Sequence, residues 1–264
     1  MVLDLASIPL LWIGWLLGGM INTALLAVAW QAPKKLLTPA GYLHAWVLGV
    51  LIWGCLGWRG YVVIMAYFLA GSAVTRLGKA RKEAAGIAEG RSGARGPENV
   101  WGSALTAAVC AGAIALLELA GSPLQAERWI PLLALAYVSS LSTKLSDTTA
   151  SEIGKAYGQH TFLITTLRPV AAGTEGAISV EGTLAGVIGS AIIALVGLGV
   201  GLIGPWEIGL CLVSAFVATT VESLIGATLQ TRLAWLTNEV VNGINTTIGA
   251  LVALLLGLAG QLLA

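Results

Sequence analysis

Between Lys144 and Gly186 an otherwise oily chain gathers Lys144, Asp147, Glu152, Lys155, Arg168, Glu175 and Glu181, with hydroxyls and glycines among them. Ions are costly in a bilayer and mark sites when they are placed in one segment. The first motif is Lys144-x-x-Asp147-Thr148-x-x-Ser151-Glu152-x-Gly154-Lys155. On a helix, Lys144, Asp147, Ser151 and Lys155 fall at spacings of three and four, hence on one face, with Thr148 and Glu152 beside it. Carboxylates with hydroxyls suit Mg²⁺, which is held by one or two carboxylates plus substrate phosphates. The lysines would offset phosphate charge. The competing reading is a solvated, salt-bridged helix end.

The second motif is Gly173-Thr174-Glu175-Gly176, followed by Glu181-Gly182-Thr183-x-x-Gly186. Glycines let backbone approach a ligand closely. Glu181 also stands where a carboxylate caps a helix N-terminus, and Gly182 with Gly186 has the small-xxx-small spacing of helix contacts. A third group is Glu222, inside an apolar run, with Asn238, Asn242 and Asn245 on one face of the last segment, near Glu239 and Thr246. These either bind substrate or join helices by hydrogen bonds. Asn22 reads as a helix joint. Lys79, Arg81, Lys82, Arg91 and Arg95 serve as topological anchors, contacts to anionic lipid, or phosphate ligands; the anchor role alone accounts for them.

The elements that must position these groups are membrane helices. The chain is 57% hydrophobic and 10% charged, against about 25% charged in soluble domains. Its near-neutral net charge of +1 argues against a nucleic-acid partner. Spans of ~20 apolar residues give eight segments at 7–30, 41–58, 60–75, 100–120, 129–145, 183–204, 206–230 and 239–262. Only Trp58-Arg59-Gly60 divides the second from the third. The fold expected is an all-α polytopic bundle, one domain over 1–264, with long loops at 76–99 and 144–182. KARKEA in the first loop reads as a short surface helix.

With alternate loops on one side, that side holds twelve basic residues: Lys34, Lys35, Arg76, Lys79, Arg81, Lys82, Arg91, Arg95, Lys144, Lys155, Arg168 and Arg232. The other side holds Arg59 and Arg128. The basic side is cytoplasmic by the positive-inside rule, so the polar segment faces the cytosol. Cys55, Cys110 and Cys211 lie in apolar runs without metal-ligand spacing, and His44 and His160 are isolated. Gly199-x-Gly201-x-x-Gly204 matches a dinucleotide fingerprint by letters only. With no strand before it, it reads as packing glycine.

The stretch DTTASEIGKAYG…GTEGAISVEGTLAG, supported by KARKEAAGIAEGRSGARGPENV and ESLIGATLQ…TNEVVNGINT, resembles the membrane phytyl-phosphate kinase family. More distantly it is similar to the phytol and dolichol kinases, integral membrane enzymes that use CTP in several cases. The resemblance implies an Mg²⁺-dependent transfer of phosphoryl from a nucleoside triphosphate, CTP among them, to a prenyl monophosphate, in a plasma or thylakoid membrane. It carries Asp147, Ser151, Glu152 and Lys155 onto the first motif and Glu181, Gly182 and Thr183 onto the second. Metal ligands expected on this basis are Asp147 with Glu152 or Glu181; Lys144, Lys155 and Arg168 would offset charge. The family of polyprenol kinases carries Lys before its Glu-Gly pair, where this chain has Ser179-Val180. A polyprenol kinase or a CTP-lipid cytidylyltransferase shares such a site with a different acceptor or product. A transporter lined by Glu222 and the asparagines is the alternative of another class.

Overall fold

The computed structural model describes residues 8–33, 35–88, 93–230 and 232–263. Asp4, Lys34 and Arg91 lie outside them. The described chain forms α1 (Ile8–Gln31), α2 (Pro39–Arg76), α3 (Lys79–Ala84), α4 (Pro97–Ala120), α5 (Pro123–Tyr157), α6 (Val180–Gly199), α7 (Glu207–Ile225) and α8 (Asn238–Leu263). A π-helical turn, Gly226–Gln230, extends α7. Six of these helices are long and apolar enough to cross a membrane. The expected helical bundle is what forms, with one small addition: β1 (Thr161–Leu163) pairs antiparallel with β2 (Ala177–Ser179) in register Thr161↔Ser179.

Local chemistry sets the helix starts. Thr38 accepts from Gly41 N–H at 3.1 Å with Pro39 in the first turn of α2. Asn99 accepts from Gly96 N–H at 3.0 Å at the head of α4, and Ser179 accepts from Gly182 N–H at 3.1 Å at the head of α6. Side-chain oxygens here satisfy donors that a helix start leaves orphaned.

The segments 41–58 and 60–75 appear as one helix broken at Gly57, whose φ of 61° and ψ of −156° are not helical. The break is a reversal. A straight helix would hold Gly41 and Gly71 about 45 Å apart, yet Arg95 reaches both. Its main chain bonds to Leu36 and Thr38, each at 3.0 Å, and its guanidinium lies against Gly71. α2 is therefore a tight helical hairpin, and the two segments read from hydropathy run antiparallel. Arg59 stacks on Trp58 at the turn, its guanidinium 5.9 Å from the ring.

α5 is the axis of the molecule. It packs against α2, α4, α6, α7 and α8, and these five contact one another in turn around it; α1 lies outside, on α2. Residues 134–146 of α5 are continuously buried. This explains why a helix rich in serine, threonine and lysine sits at the centre: its neighbours face the lipid on its behalf. The helix was expected to end near 145 and continues to Tyr157, so 144–157 is helix and the connecting segment is shorter than expected. α6 lies close on α5 because it offers glycines. A Cβ on Gly182 would stand 2.7 Å from the Ala150 carbonyl oxygen, and one on Gly186 would stand 3.0 Å from Ser146 Oγ. Asn22 does join helices, accepting from Tyr61 O–H at 3.0 Å. The glycines at 199–204 are not packing glycines as expected: Gly201, with φ of 74°, sits in the turn between α6 and α7, and open space faces Gly199 and Gly201.

Candidate active site

A cavity of about 370 Å³ opens at the end of the bundle that carries the β-hairpin. α2, α5 and α7 finish there, and α4 and α8 begin there, so five helices contribute their polar ends to one space. The continuation of α5 puts Lys144, Asp147, Ser151 and Lys155 on one wall, as their spacing predicts. α7 contributes Glu222, and α8 contributes Asn238, Glu239 and Asn242.

At the floor, Lys144 Nζ donates to Asp147 Oδ2 at 2.5 Å and to Asn242 Oδ1 at 2.8 Å. The Glu222 carboxyl lies within hydrogen-bonding reach of Asp147 and faces Lys144, and it accepts from Asn245 Nδ2 at 2.5 Å. Two carboxyls from different helices thus meet beside one ammonium. Carboxyls that meet in a place where charge is costly mark a candidate cation or proton site. Ser151 Oγ lies 3.5 Å from Asp147 Oδ1. Thr148 lines the cavity with its hydroxyl bonded back to the Lys144 carbonyl at 2.9 Å. Asn238 pairs with Gln230, and Asn99 donates to Glu239 Oε1 at 3.2 Å.

Glu152 also lines the cavity, and its carboxylate takes Lys82 Nζ in a buried ion pair. Lys82 donates as well to the Thr75 carbonyl at 2.8 Å. α3 is thus the short helix expected from KARKEA, but Lys82 points inward rather than to the surface. The carboxylate set assembled with Asp147 is Glu222, not the expected Glu152 or Glu181.

The loop 171–176 forms another wall, with Gly173, Thr174, Glu175 and Gly176 at the cavity. Its glycines admit protein rather than ligand backbone. Gly176, with φ of 74°, lies so close to the π-turn that a Cβ would stand 2.6 Å from the Ser223 carbonyl oxygen. Thr174 Oγ1 donates to the Ala171 carbonyl at 2.7 Å.

Four expected site residues are elsewhere. Arg168 is exposed in the β1–β2 connection, where its carbonyl accepts from Leu163 N–H at 3.0 Å. Glu181 sits in the first turn of α6 and accepts from Gln159 N–H at 3.3 Å; the cap itself is Ser179. Gly182 is a helix contact, and Thr183 bonds back to the Ser179 carbonyl at 2.9 Å. In their place the cavity acquires Tyr67, Arg95, Asn99, Ser103 and Gln230. Arg95 was visible only as one of several loop cations, and Tyr67 had no polar neighbour to single it out.

A bundle of apolar helices around a polar axis, with a charged cavity at one end, defines a multi-pass integral membrane protein. The chain belongs to the family described as Integral membrane protein DUF92, which matches residues 22–250. It is 63% identical to an uncharacterized membrane protein of Synechocystis sp. over 94% of this chain and 93% of that one. It is 43% identical to the chloroplastic protein VTE6 of Arabidopsis thaliana over 83% of this chain and 65% of that protein. An uncharacterized membrane protein of Methanocaldococcus jannaschii is 31% identical over 84% of this chain and 87% of its own length. These matches bear out the family resemblance carried by the motifs. No solved structure matches.

Proposed function

We propose that this protein is a membrane prenyl-phosphate kinase. It moves the terminal phosphoryl group of a nucleoside triphosphate, with CTP the first donor to try, onto a prenyl monophosphate such as phytyl phosphate, giving the diphosphate. The observation that carries the reading is the Asp147–Glu222 carboxylate pair beside Lys144, in a polar cavity at the end of an apolar bundle. The family resemblance and the VTE6 match support it.

Among the described residues no group of three or more His, Cys, Asp or Glu forms a closed metal cage. Two carboxylates with open space beside them fit Mg²⁺, an ion that fills its remaining positions with water and substrate phosphate. Asp147 and Glu222 would hold it, and when bound it supplies charge neutralisation to the nucleotide phosphates. Lys144, fixed between Asp147 and Asn242, holds a positive charge where negative charge develops. Lys155 extends that field toward the hairpin end. An oxygen of the acceptor phosphate attacks the γ-phosphorus; the bond from that phosphorus to the β–γ bridging oxygen breaks, and the nucleoside diphosphate leaves. The acceptor oxygen is already anionic, so positioning and charge stabilisation suffice. Ten of the fourteen basic residues fall on one side outside α5, which supports a cytoplasm-facing site, in a plasma or thylakoid membrane.

The test is direct. Protein purified in detergent is incubated with Mg²⁺, phytyl monophosphate and each of the four nucleoside triphosphates, and the lipids are resolved by mass. Phytyl diphosphate is the expected product. A CDP-lipid, or phosphorylation of a free prenol alone, would replace this reading with another lipid-linked transferase; no product with any prenyl acceptor, from folded protein, would end it.

A further inference from the structure

We propose that Arg95 binds the phosphate of the lipid acceptor, which gives the cavity a lipid end and a nucleotide end. The assignment rests on the prenyl-phosphate kinase reading. Three cations line the cavity. Lys144 is paired with Asp147, whereas Arg95 and Lys155 make no ion pair among the described residues. The two unpaired cations stand at different depths. A Cβ on Gly71 would meet Arg95 Nη2 at 2.8 Å and Leu145 Cδ1 at 3.8 Å, so the guanidinium lies level with residue 145 of α5. Lys155 is ten residues further along the same helix, about 15 Å nearer the hairpin end.

Arg95 is held in place without being neutralised. Its main chain is pinned beside Leu37 in a parallel bridge. Its Nη1 donates to Tyr67 O–H at 2.9 Å, and its Cζ stands 5.4 Å from the Tyr67 ring and 5.7 Å from the Phe68 ring. A phenol and two ring faces orient a guanidinium while leaving its charge to be matched by something else. Gly71 leaves the room the group needs. A half-buried, oriented guanidinium in a polar cavity is suited to a bidentate phosphate contact, which a lysine cannot make.

Depth decides which phosphate. The prenyl chain stays among the helices or in the bilayer, so its phosphate arrives level with Tyr67 and Gly71, inside the apolar hairpin. The nucleotide is water-soluble and enters past Lys155 and the loop 173–176. The Asp147–Glu222 pair lies between the two ends.

The test is binding without turnover. Wild type, Arg95→Gln and Arg95→Lys are placed in nanodiscs, and affinity for phytyl monophosphate, phytol, inorganic phosphate and CTP is measured by calorimetry. Arg95→Gln is expected to weaken phytyl monophosphate roughly tenfold or more, the scale of losing a charge-assisted contact, with CTP affinity unchanged. Arg95→Lys keeps the charge without the fork and should fall between. Phytol should bind equally to all three. Unchanged phytyl-monophosphate affinity in Arg95→Gln, with a normal melting curve, overturns the proposal. So does a loss confined to CTP, or inorganic phosphate competing as well as the lipid. If Arg95→Gln does not fold, Arg95→Lys and Tyr67→Phe decide by the same readout. Arg95-dependent lipid binding in a protein that makes no diphosphate would sink the kinase reading and leave this one standing; wild type that binds no prenyl phosphate would sink this one.

Discussion

Replacing Asp147 by Asn keeps the side chain's size and removes its charge. Asp147 takes Lys144 Nζ at 2.5 Å and lies within hydrogen-bonding reach of Glu222. Asn removes one of the two carboxyl groups that would hold the proposed divalent cation. Losing one preorganised electrostatic contact of this kind lowers kcat by about 10²–10³, or ~2.7–4 kcal/mol of transition-state stabilisation. The fold should survive, because Lys144 keeps Asn242 at 2.8 Å and still faces Glu222. The assay is diphosphate formation by mass with saturating lipid and nucleotide, beside a melting curve of the same preparation. Glu222→Gln should cost a similar factor. The double variant should be little worse than the poorer single one, since both groups would hold the one proposed ion and residues that work as a unit are non-additive. Wild-type kcat in Asp147→Asn refutes the reasoning, and multiplicative losses in the double variant would separate the two carboxylates into independent roles.

Lys82→Ala removes one buried partner of the Glu152 carboxylate and should destabilise by up to about 3–5 kcal/mol, read by chemical denaturation in detergent. Lys79→Ala, which breaks the exposed Lys79–Glu83 pair at 3.5 Å, should cost no more than ~0.5 kcal/mol. Gly57→Ala forces a side chain into backbone space at φ 61° and ψ −156° that is almost confined to glycine, at a cost of about 1–3 kcal/mol. Gly14→Ala, facing open space on α1, should be neutral or slightly stabilising by helix propensity. Equal melting temperatures for the two glycine variants would remove the strained turn from the account of α2.

The helices were legible because lipid-facing rods must be apolar for their whole length. That signal located the long helices and placed the hairpin turn of α2 within a few residues of Gly57. Glu222 was legible for the converse reason: a carboxylate in an apolar run has to face protein. What misled was the same polarity when it continued past 145. There the ionic and hydroxyl residues of α5 read as a loop, because hydropathy does not distinguish water from the interior of a polar cavity. The Glu181-Gly182 pair read as ligand chemistry, whereas Gly182 is small because Ala150 is close and Glu181 ties down the chain at Gln159. Arg95 was hidden because its role depends on a main-chain bridge to Leu37 and on Tyr67, neither of which has a local signature.

The position of α5 has a consequence for how the protein is made. Of the seven long helices described, it is the one without a stretch apolar enough to cross by itself, and it carries Lys144 near its inner end. A segment of that composition is held poorly by lipid on leaving the translocon, since its ionisable and hydroxyl groups disfavour insertion. Three of the helices that shelter it, α6, α7 and α8, are synthesised after it. Residence of α5 in the membrane is therefore a collective property, acquired when the C-terminal helices arrive. Chains truncated before α6 should leave it accessible to water or stalled at the insertion machinery.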